Sequence, residues 1–144
     1  MRVIESVLGT PKWILEADDA VHHEETNVTR LTALRVTFFG EAGDTTSVLT
    51  AKEGEADRRT RHLLARNQVE VHTTEGHLLE TEVLEWDNGR QKIFSEEAVR
   101  ITQGRNVYTG VGLVSDPSLR DFEIQKDFRG TITPEDGDGG DGMP

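Results

Sequence analysis

The amino-acid sequence predicts an all-β protein in which antiparallel strands form a single domain. Three observations predict it: an apolar pattern is repeated along the chain, apolar and polar residues alternate within each repeat, and turn-forming residues separate the alternating segments. A length of 144 residues is typical of one domain. With 34% hydrophobic residues and 14 glycines, the chain has enough apolar side chains to form a core.

The repeat is a unit of two strands that occurs four times, the fourth copy being clear only in its first half. The first strands follow one another at intervals of 34, 30 and 29 residues, at Leu15, Leu49, Leu79 and Tyr108. Five positions later come Ala20, Gly54, Leu84 and Leu113. In the second strands, a step of five separates Leu31 from Val36, Leu64 from Val69, and Phe94 from Val99. A pattern that keeps its order over the whole chain predicts one structural unit used repeatedly.

Within the units the apolar period is two, which is typical of a sheet with one buried and one solvated face. We expect strands of about four to seven residues, the usual length. Eighteen side chains should face one common interior: Leu15, Ala17, Leu31, Val36, Phe38, Leu49, Ala51, Leu64, Val69, Val71, Leu79, Leu84, Trp86, Phe94, Val99, Ile101, Tyr108 and Leu113. Eight of their neighbours should face solvent: Glu16, Arg35, Thr37, Thr50, Glu70, Glu80, Glu85 and Arg100.

Turn signals indicate where the strands end: Glu25–Asn27, Gly40–Gly43, Thr74–Gly76, Asp87–Gly89 and Gln103–Gly104. Asn88-Gly89 favours a type I′ turn, because both residues tolerate positive φ. The segment Glu53–Arg66 has a helix-like composition, but it aligns with alternating segments of the other units. It is therefore predicted to form a strand, a turn at Asp57–Thr60, and a second strand.

The composition changes near residue 133. Residues 134–142 are rich in Asp and Gly and contain no apolar side chain, so burial cannot offset their ordering entropy. We expect a β-domain over residues 1–133 and a disordered acidic tail over residues 134–144.

Charge and missing residue types exclude several classes of function. Sixteen basic and 27 acidic residues give a net charge of −11, which argues against a nucleic-acid partner or an anionic membrane surface. Without cysteine, the chain cannot form disulfides, zinc–thiolate sites or a cysteine nucleophile. No apolar run reaches the roughly 20 residues that span a bilayer.

The sequence contains no pattern that indicates catalysis, a metal or a cofactor. His22 and His23 are adjacent, so on a strand they point to opposite faces and are interpreted as solvated residues. No serine lies in a Gly-x-Ser-x-Gly turn, and the many outward carboxylates do not single out a catalytic pair. We therefore predict a protein that is not an enzyme, with no cofactor and no metal.

Six segments carry a resemblance by their order and spacing: Trp13–Ala20, Leu34–Phe39, Ser47–Gly54, Leu79–Trp86, Val99–Thr102 and Thr109–Leu113, the last followed by Asp116-Pro117 and Leu119. Together they resemble the LptC family of lipopolysaccharide-transport periplasmic proteins, over about residues 10–132. The resemblance implies a twisted antiparallel β-jellyroll, open along one side, that carries the acyl chains of lipopolysaccharide in an apolar groove. The eighteen inward residues, with Ala20 and Gly54, would line this groove.

The resemblance also implies a location and partners. Family members are periplasmic and are anchored by an N-terminal helix to the inner-membrane lipopolysaccharide ABC transporter. They pair by an edge strand with a soluble LptA-like bridge protein, which continues the groove toward the outer membrane. Because no segment of this sequence resembles the anchor helix, we expect a soluble periplasmic portion or an unanchored variant. Unpaired edge strands also make homo-oligomers possible.

Two further interpretations stay open. Small residues at equivalent positions, among them Ala51, Gly54 and Gly110, would keep part of the interior open for a ligand, although packing in a tapered sheet also uses small residues. The alternative function is a structural or carbohydrate-binding β-repeat module with a closed core. A sugar platform would need its aromatic rings on an outer face, whereas Phe38 and Trp86 fall on the buried alternation.

Overall fold

The computed structural model describes residues 2–7 and 10–131, and these residues confirm the all-β prediction. They form nine strands: β1 (Arg2–Val7), β2 (Thr10–His23), β3 (Val28–Phe39), β4 (Thr45–Asp57), β5 (Leu63–Thr73), β6 (His77–Asp87), β7 (Lys92–Gln103), β8 (Asn106–Ser115) and β9 (Phe122–Thr131). The acidic tail predicted over residues 134–144 lies outside the described residues. Within the described part of the chain, no helix has the length and apolarity to cross a membrane.

The strands form one sheet in chain order, each antiparallel to the next. Short connections favour this arrangement, because a tight turn leaves consecutive strands side by side. The turns predicted around Asn27, Gly43 and Gly76 are present, with φ of 60°, 90° and 87°. The helix-like segment Glu53–Arg66 forms the end of β4, a turn and the start of β5, as predicted.

Strands β2 to β9 are longer than predicted, at 10 to 14 residues. Each joins two short alternating halves that the sequence suggests as separate strands, and β-bulges rather than turns connect several of these halves. In β4, Ala51 is buried and the next buried residue is Gly54; in β6 the same odd step separates Thr81 from Leu84. The strand pairing shifts register at both places. Because a bulge bends and twists its strand, both halves direct apolar side chains into one interior.

Leu64 was predicted to face the interior, and this prediction is wrong. Its neighbour Leu63 is buried instead, while Leu64 lies half-buried on the other face of β5. The bulge in β5 contains two consecutive residues with positive φ, Asn67 (68°) and Gln68 (55°). The extra residue makes the step from Leu63 to Val69 six positions rather than five.

The repeat also predicts the wrong orientation for Phe94 and Ala20, which do not face the interior. In β7 the buried residue is Ile93, because a bulge after Ser95 inserts the same extra position as in β5. Ala20 is exposed. β1 pairs with β2 only as far as Glu16, so Ala20 lies on a free edge of the sheet.

The other sixteen predicted inward residues do face the interior. Fourteen of them are buried, and Ala17 and Tyr108 are half-buried and pack against the core. None of the eight predicted outward residues is buried, and Arg100 is exposed. The predicted register is therefore confirmed outside the two bulges and the edge.

Contacts between distant strands show that the sheet folds over on itself. The Trp13 indole of β2 donates to the Asn88 side chain in the β6–β7 turn, with a distance of 3.0 Å from Nε1 to Oδ1. Phe38 of β3 packs on Trp86 of β6, with ring centroids 4.9 Å apart. The early and late strands thus pack face to face around one core, as in a β-jellyroll.

The connection from β8 to β9 covers one end of this interior. Leu119 is fully buried, and its carbonyl oxygen accepts a hydrogen bond from Gln103 Nε2 at 3.2 Å. The next residue, Arg120, donates from Nε to Glu75 Oε1 at 2.9 Å. Because Glu75 lies in the β5–β6 turn, this ion pair fixes the connection across the ends of neighbouring strands.

Candidate functional site

The interior is not filled completely, and a cleft of about 230 Å³ remains between the two halves of the sheet. Its apolar walls come from five strands: Trp13 and Leu15 of β2, Val36 of β3, Ala56 of β4, Leu63 of β5 and Trp86 of β6. We name this space the tryptophan cleft. Four residues at the β4–β5 turn form its mouth: Asp57, Arg58, Arg61 and His62. The site therefore combines an apolar interior with a polar, mainly basic entrance.

A single side chain fixes both indoles of the cleft. Asn88 Oδ1 accepts hydrogen bonds from Trp13 Nε1 at 3.0 Å and from Trp86 Nε1 at 3.1 Å. Burying an indole N–H without an acceptor is costly, so this amide allows both rings to present apolar faces to the cleft. The Asn88 turn differs from the predicted type I′ turn: the residue with positive φ is Gln91 (57°), and a four-residue connection joins β6 to β7.

Backbone hydrogen bonds give the mouth a defined shape. Asp57 Oδ1 accepts from the backbone N–H of Arg59 at 2.8 Å and of Thr60 at 3.2 Å. These two donors hold the pKa of the Asp57 carboxyl below its ordinary value, because they stabilise the charged form. The backbone N–H of Arg61 donates to the Asp57 carbonyl at 2.8 Å. The carboxylate is thus engaged in building the turn.

The remaining mouth residue, His62, is positioned by β6. Its Nε2 lies 2.9 Å from Glu85 Oε1, and its ring packs against Phe94 with centroids 6.0 Å apart. Both partners lie on the outer face of the sheet, so His62 reaches outward from the entrance. Phe94, which was predicted to face the interior, contributes here by supporting the mouth.

Of the twenty residues predicted to line a groove, three line the tryptophan cleft: Leu15, Val36 and Trp86. Most of the others fill the packed core on either side of it, among them Leu49, Leu79 and Ile101. A role in ligand binding stays a prediction for all of them. Sequence reasoning missed the other three wall residues. Leu63 is one position from the predicted Leu64, and Trp13 lies outside the repeated positions. Ala56 occupies the position of the repeat that is equivalent to Trp86, but it was not included among the inward residues.

Sequence reasoning also missed the basic mouth. The segment Arg58-Arg59-Thr60-Arg61-His62 has three arginines in four positions of a chain whose net charge is −11. That local reversal of charge was the available signal. The prediction of a turn at Asp57–Thr60 located the segment, but not its relation to the cleft.

The interpretation of the glycines as open space is wrong at two positions. A Cβ at Gly54 would overlap the side chain of Leu34 and lie 2.8 Å from the Leu64 carbonyl oxygen. A Cβ at Gly110 would overlap Ile124. Neighbouring side chains therefore occupy the space that these glycines leave, which is the packing alternative stated above.

The histidine pair does not form a metal site with other residues of the described chain. His22 Nδ1 lies 3.0 Å from Thr29 Oγ1. Residues 2–7 and 10–131 contain no group of three or more His, Asp or Glu side chains arranged to hold an ion. The tryptophan cleft is therefore the site that we develop further.

A bent antiparallel sheet that packs against itself and leaves an apolar cleft open defines an open β-jellyroll. Within that class the family is shown by sequence: the chain belongs to the family described as lipopolysaccharide-assembly, LptC-related, which it matches over residues 4–133. The family suggests periplasmic lipopolysaccharide transport. No curated protein matches the chain significantly.

A solved structure supports the fold. The chain is similar to LptH, the LptA homologous periplasmic component of the lipopolysaccharide transport device from Pseudomonas aeruginosa. The TM-score is 0.65 and the sequence identity is 11%, over 85% of this chain and 95% of that chain. At this identity the similarity shows the shared jellyroll fold, and the resemblance predicted from the sequence segments is confirmed at the level of the family.

Proposed function

We propose that this protein is a non-enzymatic periplasmic carrier that binds the acyl chains of lipopolysaccharide in its interior and passes the lipid along a chain of related proteins. The observation that carries the proposal is the tryptophan cleft, an apolar space of about 230 Å³ in a chain of the LptC-related family. The other residues that were predicted to line the groove would contact the ligand only if the two halves of the sheet moved further apart.

The physical argument starts from the walls of the cleft. A hydrocarbon chain is favoured in a space that excludes water, by about 25 cal/mol for each Å² of apolar surface removed from solvent. The two indoles offer large apolar faces, and Asn88 satisfies their N–H groups, so neither ring requires a polar ligand atom. Such walls suit alkyl chains and do not favour one sugar hydroxyl over another.

The same geometry disfavours a carbohydrate-binding module. Trp13, Phe38 and Trp86 are 5%, 3% and 3% exposed and lie inside the fold. A sugar platform needs such rings on an accessible outer face.

The edges of the sheet support a relay. In the described residues the sheet ends at β1 and at β9, whose outer backbone groups have no strand partner within the chain. Such edges pair readily with further strands. We propose that one edge faces the inner-membrane transporter and the other a soluble LptA-like bridge protein, so that the lipid moves toward the outer membrane. Homo-oligomers by edge pairing would use the same surfaces.

The two tryptophans provide a direct test, because the chain contains no others and both line the cleft. The purified protein is titrated with detergent-dispersed lipopolysaccharide, and separately with an acylated lipid that carries bromine in its acyl chain. Bromine quenches indole fluorescence only at close approach. We expect saturable quenching by the brominated lipid, relieved by unlabelled lipopolysaccharide in competition.

Controls separate binding in the cleft from binding elsewhere. Trp13→Phe and Trp86→Phe each leave one reporter, and both variants should be quenched. A brominated detergent below its micelle concentration controls for partition onto the surface. Saturable lipid binding without quenching would place the ligand outside the cleft, and absence of binding would contradict the proposed function.

A further inference from the structure

The basic mouth is chemically distinct from the rest of the surface. Arg58 and Arg61 are exposed and line the entrance to the tryptophan cleft, within a chain that carries 27 acidic and 16 basic residues. The apolar wall begins next to them at Ala56 and Leu63. A ligand that enters the cleft therefore meets hydrocarbon and guanidinium surfaces within a few residues of each other.

We infer that the β4–β5 turn recognises the anionic headgroup of the bound lipid, and that the site selects amphiphiles with a phosphate close to the origin of their acyl chains. This inference rests on the proposed function, because it assigns a headgroup to the ligand whose acyl chain occupies the cleft. Arg58 and Arg61 bind the phosphate oxygens, and the chain extends inward along Trp13 and Trp86.

The residue types fit this chemistry. A guanidinium presents a planar fork of N–H donors that matches two phosphate oxygens, and it is always charged at neutral pH. The lining contains one carboxylate among its described residues, Asp57, and two backbone N–H groups engage it. The two guanidinium groups of Arg58 and Arg61 outnumber this carboxylate among the lining residues, so the entrance is positively charged within a chain of net charge −11.

Backbone hydrogen bonds contribute to the shape of the turn. The backbone N–H of Arg58 donates to the Asn27 carbonyl at 3.3 Å, and that of Arg61 to the Asp57 carbonyl at 2.8 Å. Both bonds are made by backbone atoms, so each substitution retains their donors and acceptors, and thermal unfolding measures whether the turn and the domain stay folded.

The experiment compares two lipids with identical acyl chains, a diphosphorylated acyl-disaccharide and its dephosphorylated form, by competition in the tryptophan-quenching assay. Wild type is compared with Arg58→Gln, with Arg58→Gln/Arg61→Gln, and with the charge-retaining Arg58→Lys/Arg61→Lys. Arg59→Gln is the matched control, because Arg59 belongs to the same exposed turn but is not a lining residue. Inorganic phosphate alone is a further probe, since it has the charge without the acyl chains. Thermal unfolding confirms that each variant is folded.

In wild type we expect tighter binding of the phosphorylated lipid, and in the double glutamine variant a loss of about tenfold for that lipid only, the magnitude typical of two exposed charge pairs. Salt should weaken the wild-type preference, because exposed charges are screened. Lysine should restore part of it, and Arg59→Gln should not change it. Inorganic phosphate should bind far more weakly.

Three results would overturn the inference. An equal loss of affinity for both lipids would mean that the arginines stabilise the cleft and do not bind the phosphate. Unchanged affinities in the double variant would refute headgroup recognition while leaving acyl binding, and with it the proposed function, intact. Binding of inorganic phosphate as tight as that of the lipid would show an anion site independent of the cleft. If wild type binds neither lipid, the proposed function fails first and this inference with it.

Discussion

Filling the tryptophan cleft from Ala56 should remove lipid binding without unfolding the protein. Ala56 lies on β4 and is part of the cleft wall. Ala56→Leu adds three carbon atoms that occupy space otherwise available to an acyl chain. A buried methylene contributes about 0.8 kcal/mol, so displacing three of them lowers affinity by about 2.4 kcal/mol, or about sixtyfold in Kd. The free energy of unfolding should not fall, because the new side chain enters existing space.

Ala65→Leu is the matched control for this prediction. Ala65 lies on the neighbouring strand β5 and is 0% exposed, with no place in the cleft wall. The same three carbons there overpack the core, which typically costs about 1–3 kcal/mol of stability. We expect the folded protein to bind lipid with nearly the wild-type Kd.

The assay measures urea unfolding and lipopolysaccharide binding for both variants side by side. The two alanines should show opposite patterns: lost affinity with retained stability for Ala56→Leu, and lost stability with retained affinity for Ala65→Leu. An unchanged Kd for Ala56→Leu would show that the acyl chain does not occupy the cleft. Destabilisation of Ala56→Leu as large as that of Ala65→Leu would show a closed core at this position.

Three further predictions concern other parts of the chain. Asn88→Leu removes the acceptor of two indole N–H groups and should lower the free energy of unfolding by about 2–3 kcal/mol, at about 1 kcal/mol per hydrogen bond plus desolvation; an unchanged urea midpoint would contradict the role of this amide. Arg120 holds the pKa of Glu75 below its ordinary value, so the stabilisation from this pair is present above about pH 4.3 and is lost as the pH falls through the lower folded pKa. Glu75→Gln should therefore flatten part of the decline in the urea midpoint between about pH 5 and pH 3, and an identical decline would refute the contribution of the ion pair. Deletion of residues 134–144 should change stability by no more than about 0.5 kcal/mol, and a larger loss would show that the tail packs on the domain.

The sequence predicted the sheet and most of its register, because alternation is a local property that each strand carries in its own residues. The errors at Leu64 and Phe94 occur where the number of residues between buried positions changes, whereas Ala20 lies on a free edge of the sheet. A step of five is correct from Leu31 to Val36, but the bulge in β5 needs two residues with positive φ and makes the step six. Asn is enriched among residues with positive φ, but Gln is not, so the residue type at Gln68 does not indicate the bulge.

The cleft could not be predicted, because it depends on which strands meet after the sheet bends. Trp13 and Trp86 are 73 positions apart in the sequence, and nothing local to either residue indicates that one amide would accept from both. Asn88 was correctly predicted to lie in a turn, but the prediction did not include its side chain, which accepts hydrogen bonds from both indoles. Long-range polar contacts of this kind carry no periodic signal along the chain.

The open cleft contrasts with the close packing of the rest of the interior. Two glycines of the chain are packed tightly against Leu34 and Ile124, so that even a Cβ there would overlap a neighbour. Beside Ala56, by contrast, the space between the two oriented indoles is left open, although leucine at that position would fill part of it with one substitution. We propose that this space accommodates an alkyl chain, because apolar walls favour such a ligand over a polar one.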